Sequence, residues 1–268
     1  MKNKAHASSQ ASIPEHLLTK AEIKLIHSLA RKKQRDEYGL FIAEGPKVVS
    51  ELNQYFTVSQ IIATNEWQES FRGCSNLKVV SADIMQRCSL MQAPQGVMAV
   101  FKKPRFDAMA QTERRSELLL ALDGVQDPGN LGTILRTADW MGIPTIYASP
   151  DTADCFAPKV VQATMGALGR VKIIYAHLPT MLPKLTAKGY HICGTFMEGQ
   201  SLYEATLKAP LCIVMGNEGR GIRPDVAACC QKRLTIPRYV PASDGSESLN
   251  VAIATAIVCS ELKRQQIG

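Results

Sequence analysis

Residues 118–137 read LLLALDGVQDPGNLGTILRT, and this stretch decides the fold class. The apolar run Leu118–Leu122 predicts a buried strand, and Pro128–Gly129 predicts a turn. Asn130 is a suitable N-cap for the helix that the 3.6-residue apolar pattern predicts over Leu131–Met141. A polar loop between a buried strand and a helix is where open α/β sheets bind ligands, so this loop is a candidate binding loop.

The same alternation of strand and helix continues to the C-terminus. Further strands are predicted over residues 145–148, 171–175, 190–195, 211–215 and 233–236, with helices starting near 157, 180, 224 and 248. Strands that alternate with helices form a parallel sheet that is covered on both faces. The sequence therefore predicts an α/β fold with a parallel-sheet domain over residues 117–268.

The N-terminal part of the chain predicts a second, smaller α/β domain over residues 1–105. Thr19 and Glu22 have the spacing of a capping box, and the apolar pattern after them predicts one helix to about Lys33. Short strands and helices then alternate up to the end of this domain. We expect residues 1–18 to form a flexible tail and the polar segment 106–116 to be a linker.

The composition is that of a soluble globular protein and excludes several other classes. The chain has 268 residues, of which 46% are hydrophobic and 21% charged, unlike a disordered or collagen-like chain. No apolar run approaches the roughly 20 residues of a membrane-spanning helix, and the N-terminus lacks the apolar stretch of a signal peptide. The eight cysteines are scattered without a CxxC pair, which favours free thiols in the cytoplasm over a disulfide framework or a metal site.

The formal net charge of +7 is concentrated at the N-terminus. Residues 1–35 hold eight basic and two acidic residues, whereas residues 106–268 hold 16 and 15. Basic clusters neutralise phosphates, so nucleic acid is the expected partner, although a solvated helix face would have the same composition. The candidate RNA-binding residues are Lys20, Lys24, Arg31, Lys32, Lys33 and Arg35.

Three polar loops in the C-terminal domain follow predicted strands. In the first, Arg136 lies at the margin of the helix's buried face, where a guanidinium is suited to bind phosphate or carboxylate. The second, MGNEGRGI, contains Glu218, a carboxylate that packing does not require, but has neither the dinucleotide-binding nor the Walker spacing. The third follows Ile236 and contains Ser248, a predicted N-cap, and Asn250, for which we expect a side-chain role because asparagine is a poor helix former.

Together these loops resemble the three motifs of the SpoU/TrmH family of RNA 2′-O-ribose methyltransferases, within the SPOUT superfamily. The motifs are NxGxxxRT at residues 130–137, GNEGxG at 216–221 and IP…SLNV at 236–251. The N-terminal domain resembles the L30-like substrate-binding domain of the family's ribosomal RNA members. That second resemblance lies in FIAEGP at residues 41–46 and QGVMAV at 95–100.

The resemblance implies a fold detail, a cofactor and an oligomeric state. Members of the family have a deep trefoil knot near the C-terminus, bind S-adenosylmethionine in the knot loops without a metal, and act as homodimers. By matching motif positions, the catalytic residues are Arg136, Asn130, Glu218, Ser248 and Asn250. The cofactor-binding residues are Gly216, Ile236, Leu249, Thr195, Met215, Asn217 and Gly221.

The reaction that the resemblance implies is methylation of a ribose 2′-hydroxyl, with ribosomal RNA favoured because the N-terminal domain is present. Arginine stays protonated, so we expect Arg136 to hold an RNA phosphate or stabilise charge on the attacking oxygen rather than act as a base. Two alternatives remain: a non-catalytic RNA-binding factor in ribosome assembly, and the same chemistry on transfer RNA. No membrane association is expected.

Overall fold

The structure is a computed structural model that describes residues 18–74, 76–104, 116–240 and 248–267. The N-terminal part, residues 18–104, contains α1 (Lys20–Ser28), α2 (Lys32–Tyr38), β1 (Leu40–Glu44), α3 (Pro46–Leu52), β2 (Val58–Thr64), β3 (Leu77–Val80), α4 (Ala82–Cys88) and β4 (Val97–Lys102). Short 3₁₀ turns lie at Asn65–Trp67 and Glu69–Phe71.

The C-terminal part, residues 116–267, repeats strand and helix. It contains β5 (Leu118–Asp123), α5 (Pro128–Trp140), β6 (Thr145–Ala148), α6 (Pro158–Thr164), β7 (Lys172–Tyr175), α7 (Leu178–Ala187), β8 (His191–Ser201), β9 (Leu211–Gly216), α8 (Pro224–Ala227), β10 (Lys232–Thr235) and α9 (Val251–Ile267). A 3₁₀ turn at Ala167–Gly169 follows α6.

The N-terminal part forms a mixed sheet of strand order β1-β4-β2-β3. β4 pairs antiparallel with both β1 and β2, and β3 is parallel to β2. Buried apolar residues of α1 and α4, such as Ile26 and Met85, pack on one face of this sheet. On the other face, α3 packs in a core that also contains apolar residues of the C-terminal part.

The C-terminal part forms the predicted parallel sheet, with strand order β10-β8-β9-β5-β6-β7. Apolar residues of α5, α6 and α9 cover one face, and those of α7 and α8 cover the other. Strands β5, β9 and β10 are parallel members of one sheet, so their carboxyl ends lie at one edge. The α/β class and the parallel sheet are confirmed, and the trefoil knot that the resemblance implies stays a prediction.

The two parts are packed together. Phe41, Phe101 and Phe156 belong to one core cluster, with ring centroids 4.8 Å apart for Phe41 and Phe156. Arg35 of α2 donates to the Asp154 carboxylate from Nε at 3.0 Å and Nη2 at 2.6 Å. Nearly all of the residues assigned to the tail and to the linker lie outside the described residues, so the predicted domain boundaries stay predictions.

Several predicted boundaries are wrong. The single helix to Lys33 is two helices, because Arg35 Nη1 donates to the carbonyls of Leu29 and Ala30 and fixes the turn between them. The capping box of Thr19 and Glu22 is confirmed. Strand β8 extends to Ser201, where it pairs again with β10 after a register shift.

Among the residues that the structure describes, no helix is both long and apolar enough to cross a lipid bilayer. The same residues contain no group of three or more His, Cys, Asp or Glu side chains that could hold a metal ion.

Candidate active site

Three side chains from the three predicted loops form one hydrogen-bonded row. Asn250 Nδ2 donates to Asn130 Oδ1 at 2.9 Å, and Asn130 Nδ2 donates to Glu218 Oε1 at 3.0 Å. We call this row the Asn250–Asn130–Glu218 relay. It joins the first turn of α5, the loop after β9 and the start of α9, so motifs up to 120 residues apart meet at the carboxyl edge of the sheet.

Asn130 is available for the relay because another residue caps its helix. Asp127 is the N-cap of α5, and its Oδ1 accepts from the Asn130 backbone N–H at 2.8 Å. Pro128 occupies the first helical position, where its missing N–H costs nothing. The prediction that Asn130 is the N-cap is therefore wrong by one turn. The side-chain amide of Asn130 instead extends from the first turn of α5 to the neighbouring loops.

Asn250 has two functions at the start of α9. Its Oδ1 accepts from the backbone N–H groups of Ala252 at 2.9 Å and Ile253 at 3.2 Å, and its Nδ2 donates to Asn130. Asn250 is thus the cap of a helix that starts at Val251, and the prediction that Ser248 is the cap is wrong. Ser248 is exposed and lies three residues before α9.

Glu218 is a hydrogen-bonded and half-buried carboxylate rather than a free surface group. Besides Asn130, the backbone N–H groups of Gln126 at 3.4 Å and Asp127 at 3.3 Å donate to it. Burial raises the pKa of Glu218, but these hydrogen bonds outweigh it and hold the pKa below its ordinary value. Since a carboxylate with a lowered pKa is a weak base, Glu218 is suited to orienting neighbours rather than to removing a proton.

The loop between β9 and α8 closes on itself. Asn217 and Gly221 exchange backbone N–H···O hydrogen bonds of 3.0 Å in both directions. A Cβ at Gly216 would lie 2.4 Å from the Gly221 carbonyl carbon, so the close approach requires glycine. Gly219, Arg220 and Gly221 are exposed, so a ligand can approach this stretch of backbone closely.

The predicted cofactor-binding residues differ in exposure. Asn217 uses its amide inside the loop, donating to Gly124 O at 2.6 Å and accepting from the backbone of Gly219 and Arg220. Thr195 is half-buried and donates to Val214 O at 3.1 Å, and Met215 is buried.

Two further cofactor positions flank the third loop. Ile236 is half-buried directly after β10, and Leu249 is 52% exposed just before α9. Gly216, Ile236 and Leu249 therefore lie at the same edge as the relay, with one apolar side chain open to solvent.

Arg136 does not join the relay within one chain. It is exposed on α5, six residues after Asn130, which places it about 240° around the helix and about 9 Å along it. In the described part of the chain, no hydrogen bond or ion pair connects it to Asn130, Glu218 or Asn250.

The predicted RNA-binding residues separate into an exposed group and one buried residue. Lys20, Lys24, Arg31, Lys32 and Lys33 are exposed on or beside α1 and α2, and Lys32 pairs with Asp36 at 2.7 Å. Arg35 is only 2% exposed and is committed to Asp154 and to two backbone carbonyls. The assignment of Arg35 to RNA binding is therefore wrong, because a buried and fully paired guanidinium cannot reach a phosphate.

One pair of charged residues beside the site was not predicted from the sequence. Asp123 ends β5 with a side chain that is 0% exposed, and it binds Arg223 of the loop after β9. A carboxylate at the end of an apolar strand is the only signal that the sequence offers for this pair.

The structure thus combines a parallel α/β sheet, three linked polar loops at its carboxyl edge and a smaller part with a basic surface. A model described as the SpoU rRNA Methylase family matches residues 117–260, and a model described as the MRM3-like substrate binding domain matches residues 20–99. The chain belongs to the SpoU rRNA methylase family.

Curated relatives and solved structures agree with this membership. The 23S rRNA (guanosine(2553)-2′-O)-methyltransferase RlmP of Bacillus subtilis is 30% identical over 88% of this chain and 93% of its own. The structure of a TrmH-family RNA methyltransferase from Porphyromonas gingivalis is 42% identical, with a TM-score of 0.83 over 93% of this chain and 100% of its own. An AdoMet-bound rRNA methyltransferase from Sinorhizobium meliloti is 30% identical, with a TM-score of 0.82 over 96% of this chain and 100% of its own.

Proposed function

We propose that this protein transfers a methyl group from S-adenosylmethionine to a ribose 2′-hydroxyl of ribosomal RNA. The observation that carries the proposal is the Asn250–Asn130–Glu218 relay, because it brings all three family motifs together at one edge of the sheet. The printed activity of the B. subtilis relative supports the reaction and the RNA class. The AdoMet-bound S. meliloti structure supports the cofactor.

The loops at the sheet edge fit S-adenosylmethionine. The exposed glycines Gly219 and Gly221 let a ligand approach the backbone without side-chain obstruction, and the half-exposed Leu249 offers an apolar surface. Gly216 and Ile236 would complete the pocket mainly through backbone groups. When bound, S-adenosylmethionine supplies an electrophilic methyl group that a hydroxyl can attack without a metal.

The residues of this chain contribute positioning rather than acid–base chemistry. Glu218 is ionised at neutral pH and fixes the Asn130 amide, while Asn250 fixes it from the other side. A side chain held at both ends loses little conformational entropy when it receives a ribose hydroxyl, and such positioning supplies much of a transfer rate. Ser248 is exposed beside Asn250, where its hydroxyl can contact the RNA.

Arg136 is the cation that we assign to the RNA phosphate or to the charge that develops on the attacking oxygen. A guanidinium stays protonated and binds phosphate through two parallel hydrogen bonds, which suits this role and not that of a base. In a single chain Arg136 is exposed on α5, one helical turn before Trp140, so it lies beside the surface that we assign below to the dimer contact.

The exposed lysines and Arg31 on α1 and α2 form the surface that we assign to binding RNA outside the active site. Their charges lie on the part of the chain that matches the MRM3-like substrate binding domain. We keep the predicted division into a recognition domain, residues 1–105, and a methyltransferase domain, residues 117–268, joined by a linker at 106–116.

We also propose that the protein acts as a homodimer through α5 and α9. Trp140 at the end of α5 is 88% exposed and Ile253 on α9 is 52% exposed. α9 begins VAIATAIVCS and is apolar on all sides, which is typical of a helix that is covered by a partner. Light scattering of the purified protein tests this, and a monomer that retains full activity would contradict it.

A cytoplasmic location follows from the proposed substrate and is supported by the thiols. All eight cysteines are free, and burial raises the pKa of Cys193 to about 11 and that of Cys259 to about 12. Such unreactive thiols are usual in a reducing compartment.

Transfer of tritiated methyl groups to purified ribosomal and transfer RNA tests the proposed function. We expect label in ribosomal RNA, and binding of S-adenosylmethionine by isothermal titration calorimetry. Label confined to transfer RNA would overturn the substrate. No binding of S-adenosylmethionine would instead favour a non-catalytic RNA-binding factor.

A further inference from the structure

The pair formed by Asp123 and Arg223 closes the loop that carries Glu218. Asp123 Oδ2 accepts from the Arg223 backbone N–H at 2.7 Å, and its Oδ1 accepts from Nε at 2.8 Å and from Nη2. The Asp123 side chain is fully buried, whereas that of Arg223 is 45% exposed. A single carboxylate therefore holds both the main chain and the side chain of Arg223.

This pair fixes the far end of the loop. At the near end, Gly216 pairs with Asp123 itself across β9 and β5. Residues 217–222 thus leave the sheet opposite Asp123 and return to it at Arg223, which Asp123 holds. Both ends of the loop are anchored to one residue of the central strand.

The loop is also attached to the segment that follows Asp123. Asn217 Nδ2 donates to Gly124 O, and Glu218 accepts from the N–H groups of Gln126 and Asp127. Arg223 has a second carboxylate partner in Asp151, at 3.4 Å, which follows β6. The position of Glu218 and of the exposed glycine backbone therefore depends on how firmly Arg223 is held.

We propose that Asp123 is a positioning residue for methyl transfer, acting through Arg223 to hold the 217–222 loop in the shape that binds S-adenosylmethionine. The inference rests on the proposed function, since it names what keeps that site formed. The Asp123 side chain is 0% exposed, so its effect on the reaction would pass through the loop.

The chain offers a matched control in Asp154. Its carboxylate also accepts from Nε and Nη2 of an arginine and from one backbone N–H, that of Phe156 at 3.1 Å. The Asp154 side chain is 9% exposed, and its partner Arg35 belongs to the N-terminal part. Asp123→Asn and Asp154→Asn therefore remove the same charge from similar surroundings, but only Asp123 binds the residue that closes the 217–222 loop.

The test is isothermal titration of S-adenosylmethionine into wild type, Asp123→Asn and Asp154→Asn. The melting temperature of each protein is measured as well. We expect both variants to melt earlier. Only Asp123→Asn should weaken S-adenosylmethionine binding, by about tenfold or more, because a displaced loop loses its fit to the ligand. Wild-type affinity in Asp123→Asn, or an equal loss in Asp154→Asn, would overturn the proposal. Failure of the wild type to bind would contradict the proposed function instead.

Substitutions of Arg223 test the same contact without touching the buried carboxylate. Arg223→Ala retains the backbone hydrogen bond to Asp123, so its affinity loss should be smaller than that of Asp123→Asn. Arg223→Lys, which keeps a cation at this position, should retain part of the affinity that Arg223→Ala loses. The double variant Asp123→Asn with Arg223→Ala should lose no more than Asp123→Asn alone, and additive losses would show that the two residues act independently. If Asp123→Asn does not fold, Arg223→Ala still tests the proposal, because wild-type affinity for S-adenosylmethionine in that variant would overturn it.

Discussion

The N-terminal and C-terminal parts use their polar side chains in opposite ways. On α1 and α2, cations such as Lys24 and Lys33 are exposed to solvent. At the carboxyl edge of the parallel sheet, hydrogen bonds join Asn130 to both Glu218 and Asn250. Under the function that we propose, loosely held charge attracts RNA, whereas the positioning groups are held by a hydrogen-bonded network.

The largest effect should come from the one exposed cation that we assign to the chemistry itself. Arg136→Ala should reduce methyl transfer by about 100-fold to 1,000-fold, because the charge that stabilises the transition state is lost. Binding of S-adenosylmethionine should survive. Single-turnover transfer of tritiated methyl to RNA measures the rate, and calorimetry measures the binding.

Lys184→Ala is the control for Arg136→Ala. Lys184 is exposed on α7, on the opposite face of the sheet from α5, so its removal should leave the rate unchanged. A similar rate loss in both variants, or full turnover in Arg136→Ala, would contradict the role of Arg136.

The next largest effect concerns Arg35, the N-terminal cation that is buried. Arg35→Ala leaves the Asp154 carboxylate without its partner and should destabilise the protein by about 3 kcal/mol or more. The salt dependence of RNA affinity should not change, because Arg35 does not face solvent. Thermal unfolding measures the stability, and filter binding at several salt concentrations measures the salt dependence. A flatter salt dependence in the variant would show that Arg35 contributes to RNA binding.

Glu218→Gln tests the preformed network. An amide in place of the carboxylate places a donor against the N–H group of either Gln126 or Asp127, so the rate of transfer should fall by about tenfold or more as Asn130 loses its orientation. The same variant should also differ from wild type in how its stability depends on pH. Because the pKa of Glu218 is lowered, its stabilising contribution is complete above its ordinary value of 4.5 and disappears as pH falls through the lowered pKa.

Denaturant unfolding of wild type and Glu218→Gln between pH 3 and pH 7 measures how the free energy of unfolding of each protein depends on pH. The stability difference between the two proteins should shrink on acidification. A difference that stays constant across this range would mean that the ionised carboxylate does not stabilise the loop.

Much of the fold was predictable, and the limits have physical causes. Apolar runs and their alternation with helices predicted the parallel sheet, since those patterns reflect burial by neighbouring strands. The network at the sheet edge was not predictable in detail. Asp127 and Asn250 cap their helices in place of Asn130 and Ser248. Since aspartate, asparagine and serine are all good caps, only the tertiary contacts decide.

Charge was the least reliable guide to function. Arg35 lies in the same basic run as Lys32 and Lys33, and its burial depends on Asp154, which is 119 residues away. The Asp123–Arg223 pair was missed for the same reason, because its two members are 100 residues apart in the chain. Long-range pairing of charges leaves no local pattern in a single sequence.

The smallest effect should come from the exposed lysines. Lys24→Ala and Lys33→Ala should each weaken RNA binding by a few-fold and reduce the slope of log affinity against log salt by about 1, while the affinity for S-adenosylmethionine stays the same. Filter binding with the ribosomal RNA substrate measures this, with Lys184→Ala as the control. Unchanged slopes would place the RNA-binding surface elsewhere.

The position of the transferred methyl group tests the central claim most directly. RNA labelled by the protein from tritiated S-adenosylmethionine should be digested with alkali, which cleaves after every unmodified ribose. A ribose 2′-O-methyl group blocks that cleavage, so the account predicts that the label is recovered in alkali-resistant dinucleotides. Label recovered in single nucleotides would place the methyl group on a base and would contradict the account.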